Sequence, residues 1–166
     1  SHPLRISRYG AHTSLSTAER VEVIDALTQT LGTTLGMLAQ LKRGQQQLRN
    51  VSFLPVQQLF RRLVRANADY ADFLASAITD LGGHIETAAL YILNDTREPQ
   101  CFADCLTGIF QGKLRLRAVD ALLRDCLERA IANKDNASKR FFEACARHNA
   151  RFLSVIGDNL PHEQPG

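Results

Sequence analysis

Four cysteines stand at positions 101, 105, 126 and 145, with no Cys-x-x-Cys pair among them. Thiolates close in space can bind a soft metal or exchange to a disulfide, and Cys101 and Cys105 are spaced to share one helix face. The plainer expectation is four free thiols in a reducing compartment, packed as small hydrophobes, with a redox or soft-metal role as the alternative. Histidines fall at 2, 12, 84, 148 and 162, and only His84, two residues before Glu86, suggests a hard-metal pair; helix-end capping or exposure is its other reading. No glutamate is followed three positions later by histidine, so the Glu-x-x-His signature of di-iron bundles is absent. A different chemistry is concentrated between Lys42 and Arg65. There Lys42, Arg43, Arg49, Arg61, Arg62 and Arg65 occur without one acid, interleaved with Gln45, Gln46, Gln47, Gln57 and Gln58. Guanidinium and amide donors without carboxylates suit an anion better than a dication. Arg5 and Arg8 lie in an opening stretch of fifteen residues that also lacks acids.

The elements that must hold these residues are helical. Ser16-Thr-Ala-Glu19 is a capping box ahead of Val21, Ile24, Leu27, Leu31, Leu35 and Leu38, whose spacing of three and four predicts a first helix over about 17–43. Gly32 and Gly36, four apart within it, predict a close helix contact, and Gly44 with Asn50 predicts a break. A second helix is expected over about 55–81, opened by Pro55 and closed by Gly82-Gly83. His84 to Asn94 suits a short helix packed across the connection. A third long helix is expected over about 101–133, and Asp135-Asn136 caps a fourth reaching about 159. The expected organisation is a flexible arm over 1–15, an all-α four-helix bundle over 16–160 and a tail over 161–166.

The chain has 166 residues, 45% hydrophobic and 22% charged, with a net charge of +3, as an ordinary globular domain does. It has no run of eighteen apolar residues and no secretory leader pattern, so the expectation is a cytoplasmic protein without membrane contact.

Two stretches carry a family resemblance. Gln40 to Phe60, QLKRGQQQLRNVSFLPVQQLF, and Tyr70 to Gly83, YADFLASAITDLGG, resemble in length, register and apolar anchors the corresponding segments of the DNA-binding proteins from starved cells, the miniature ferritins or Dps family. The resemblance extends over about 15–160 and is least close in the last helix. It implies a ferritin-like four-helix bundle with a short extra helix in the middle connection, assembled as a dodecamer. It also implies ferroxidase chemistry, iron storage and DNA protection in the stress response.

In that family the iron ligands come from two subunits: two histidines and an acid from one, an aspartate and a glutamate from the other. Carried over position by position, the histidines fall on Gln45 and Gln57, the first acid on Arg61, the aspartate on Asp72 and the glutamate on Ser76. Asp72 alone is retained as a metal ligand. Arg61 carries a fixed positive charge where a dication belongs, so the expectation is a degenerate ferroxidase site in which Arg61 pairs with Asp72 of a neighbouring subunit. The family's acidic three-fold pore falls on Lys139 and Arg140, which would repel cations; a register shifted by one turn would leave both simply in solvent.

Three functional readings follow. The first is a Dps-like shell with a lost or impaired ferroxidase site and a protective or binding role. Arg5 and Arg8 are then the candidate DNA contacts, and an active paralogue is a further possible partner. An active iron-oxidising and iron-storing protein with a relocated metal site is the second. The third is binding of an anion or small cofactor at the dimer interface. No cofactor is expected on the first reading, and iron only on the second.

Overall fold

The computed structural model describes residues 9–49, 54–85 and 101–160. These residues form a one-turn helix α1 (Tyr9–His12) and four long helices, α2 (Thr17–Gln47), α3 (Leu54–Asp80), α4 (Phe102–Ala132) and α5 (Asn136–Asn159), with no strand among them. The caps lie where the sequence places them. Glu19 N–H donates to Ser16 Oγ at 3.2 Å while Ser16 N–H donates back to Glu19 Oε1 at 3.1 Å, which closes the capping box of α2. Asp135 accepts from the Ser138 N–H at 3.1 Å and so satisfies one of the orphan donors at the start of α5. At the end of α3, Gly82 takes a φ of +96°. Gly82 N–H reaches Thr79 O at 3.0 Å and Gly83 N–H reaches Ile78 O at 2.9 Å, the paired bonds of a Schellman stop.

The core has two halves, and their membership fixes the helix directions. One half combines Leu27 and Leu31 of α2, Tyr70 and Leu74 of α3, Leu123 and Cys126 of α4, and Phe141 and Phe142 of α5. The other combines Met37 and Leu41, Leu59 and Phe60, Ile109 and Leu116, and Phe152 and Ile156. Thus the start of α2 meets the ends of α3 and α4 and the start of α5, so α2 and α5 run against α3 and α4. Contact follows the order α3–α2–α4–α5, and rings close the remaining α3–α5 seam, with Phe73 5.0 Å from Phe141 and Tyr70 3.8 Å from His148 between centroids. The chain therefore leaves α3 at one end of the molecule and enters α4 at the other.

Three expectations change. Helix α2 continues through Gly44 to Gln47, because Gly44 is a contact and not a break: a Cβ there would stand 2.6 Å from the buried Phe60 ring. Gly36, expected to make a close helix contact, faces open space instead. The opening arm is docked from Tyr9 onward, since Tyr9 is buried, stacks on Phe141 at 4.6 Å and has its hydroxyl 2.9 Å from Ser138 Oγ. Gly10 N–H also donates to the Asp80 carboxylate, and Arg20 donates to Gly10 O at 2.8 Å. The short helix expected over 84–94 falls almost wholly outside the described residues, and His84 and Ile85 themselves are not helical. Residues 1–8 and 161–166 also lie outside them.

Candidate functional site

The corner between α2 and α3 gathers Gln45, Gln57 and Arg61, three of the five positions at which the sequence resemblance implies iron ligands. Leu48 caps α2, its N–H shared between Gly44 O and Gln45 O at 3.2 Å each, and Gln57 in the first turns of α3 donates its amide to Leu48 O at 2.8 Å. The Gly44–Phe60 contact holds the two helices close at this point. Gln45, Gln46, Arg49, Gln57 and Arg61 then line one open pocket of about 380 Å³, with Leu48 in its wall. Gln45, Gln57 and Arg61 are therefore neighbours around a single space.

Asp72 and Ser76 do not join them. They sit further along the same helix, Asp72 about three turns and roughly 16 Å beyond Arg61, Asp72 exposed and Ser76 half-buried. Within one chain Arg61 and Asp72 make no ion pair, and a rigid helix cannot bring them together. A second copy of the chain would have to supply one of the two.

Among the described residues no carboxylate, thiol or imidazole lines the pocket, and no group of three or more His, Cys, Asp or Glu side chains could hold a metal ion. Iron chemistry needs anionic oxygen and imidazole donors, so this donor set does not fit it. Amides and guanidinium groups can instead neutralise and hydrogen-bond an anion. Searches against protein-family models and against curated proteins find no match to the chain.

Lys139 and Arg140 are exposed in the opening turns of α5, beyond the Asp135 cap, and neither pairs with an acid among the described residues. Arg5, Arg8 and Glu86 lie outside the described residues, while His84 is exposed just past the end of α3. Three cysteines are buried and free, and Cys101 is exposed and also free. Burial pushes the Cys145 thiol up to about 12, with coulombic repulsion from Asp120 in the same direction, so this sulfur stays protonated and inert.

His148 is the residue that sequence patterning undervalued. It lies between Tyr70, at 3.8 Å, and Phe152, at 5.9 Å, in a near-parallel ring stack. Burial, with repulsion from Arg151, pushes its imidazole down to about 4. Phe152 one turn after His148 is the available sequence signal, but the third ring comes from another helix.

Proposed function

We propose that this chain is a ferritin-like shell subunit of the Dps type whose inter-subunit metal site has been replaced by a polar, cationic contact. The observation that carries the reading is the shared pocket of Gln45, Gln57 and Arg61, three positions that the resemblance implies as iron ligands, here without anionic or imidazole donors. The helix order supports it too, since antiparallel neighbours with one end-to-end connection between parallel α3 and α4 match the ferritin-like version of a four-helix bundle. Arg61 of one subunit pairs with Asp72 of the next, an ion pair in place of a metal bridge. Arg5 and Arg8, repeated on each subunit, supply the weak phosphate contacts that add up on DNA.

Arg49 and Arg61 in the same pocket favour a second reading, capture of phosphate or a similar anion there. Light scattering and electron microscopy test the shell. A hollow dodecamer is expected; a monomer at all concentrations would remove the shell reading and leave the anion reading standing.

A further inference from the structure

A second recess lies on the other side of α3, where the α3–α5 seam opens beyond its ring stack. Arg62 and Leu63 of α3 face His148, Arg151, Phe152 and Asn159 of α5 across a groove of about 430 Å³. Leu63 and Phe152 are buried at its base, and Arg62 and Arg151 are exposed at its two sides. The groove exists because α3 turns the small Ala66 toward it, while the bulky rings that fill the seam lie further along, at Tyr70 and Phe73.

Its electrostatics are one-sided. One turn either side of Arg62 stand Gln58, Leu59, Arg65 and Ala66, and one turn either side of Arg151 stand Arg147, His148, Ser154 and Val155. Neither arginine therefore has an acid at the spacing that forms helix ion pairs, and neither makes a salt bridge among the described residues. Among the described residues no acid lines the groove. An apolar base with two cationic sides, within the size range of small-molecule sites, is complementary to a ligand with an apolar body and an anionic end.

We infer that the α3–α5 groove is a binding site for a small amphipathic carboxylate, its acid group held between Arg62 and Arg151 and its apolar body against Leu63, Phe152 and the edge of the His148 ring. Asn159 borders one end of the groove, its side-chain nitrogen donating to Val155 O at 2.8 Å. The lining residues named here all come from one chain, so the inference does not rest on the shell reading.

The test is calorimetric titration of the full chain with 2-naphthoate, with 2-naphthalenemethanol as the neutral analogue. Saturable naphthoate binding is expected, with the alcohol weaker by roughly 10-fold or more and Arg62→Gln and Arg151→Gln each weakening naphthoate by roughly 10-fold, the scale of one charged hydrogen bond. Unaltered melting temperatures show that the variants fold. In the unsubstituted protein the His148 imidazole proton resonance should move along the same saturation curve, which keeps the inference testable if a variant fails to fold. Absence of saturable binding, equal binding of the alcohol, binding unchanged in both variants, or a stationary His148 resonance overturns it.

Discussion

Tyr70 and His148 stack across the α3–α5 seam with ring centroids 3.8 Å apart and planes inclined by 19°. This contact spends a titratable side chain on packing, and it makes the fold sensitive to acid. The folded imidazole titrates at about 4 and the unfolded one near 6.5, so between those values the unfolded chain binds more protons. The stability that a neutral His148 contributes is therefore complete above 6.5 and is lost progressively as the pH falls to 4, by up to about 3 kcal/mol. His148→Phe should keep the stack and flatten this part of the acid limb in urea melts recorded from pH 7 to 4. Parallel limbs for the two proteins would show that the imidazole is not held neutral.

Two glycines of α2 should respond to alanine with opposite signs. A Cβ at Gly36 meets nothing within 4 Å, so Gly36→Ala should stabilise by roughly 1 kcal/mol through helix propensity. At Gly44 the Cβ would stand 2.6 Å from a ring that is fully buried, and Gly44→Ala should destabilise by roughly 1–3 kcal/mol. Thermal or urea denaturation of the pair reads both.

Asp135 ties the opening segment to the last helix. Its carboxylate accepts from Ser138 N–H at 3.1 Å, from Ser138 Oγ at 2.6 Å and from Thr13 Oγ1 at 2.6 Å. Burial pushes this carboxyl up, but the hydrogen bonds from Ser138 and Thr13 together outweigh it and leave it below the usual range. Asp135→Ala should cost roughly 1–3 kcal/mol and speed amide exchange at the start of α5. Unchanged exchange there would show that the cap and the tie to Thr13 are dispensable.

The four long helices were legible from periodicity and caps, because Ser16 with Glu19 and Asp135 act on their own neighbours. Local pattern failed at glycine, since whether Gly36 or Gly44 is crowded depends on which side chain another helix brings. Gly44 looked like a stop and is a contact. Gln45, Gln57 and Arg61 become neighbours because the Phe60 ring closes against Gly44, a contact between helices that no local pattern announces. The α3–α5 groove was not legible either, because it depends on two segments far apart in sequence becoming neighbours and on Ala66 leaving room between them.

Arg61→Ala should weaken assembly if Arg61 and Asp72 pair between subunits, because the neighbour's carboxylate then loses its partner at a contact, at roughly 1–3 kcal/mol per pair. Sedimentation at decreasing concentration should show dissociation earlier than in the unaltered protein. An identical dissociation profile would separate Arg61 from the interface.

The central proposal is that a metal site of the Dps type has lost its chemistry in this chain while its framework remains. Anaerobic Fe(II) titration followed by peroxide, with ferric absorbance recorded beside particle mass, tests it most directly in the unaltered protein and in one carrying Gln45→His, Gln57→His, Arg61→Asp and Ser76→Glu together. The account predicts no oxidation above buffer in the first and saturable oxidation in the second, at the same particle mass. Rapid oxidation with a soluble ferric product in the unaltered protein would contradict it.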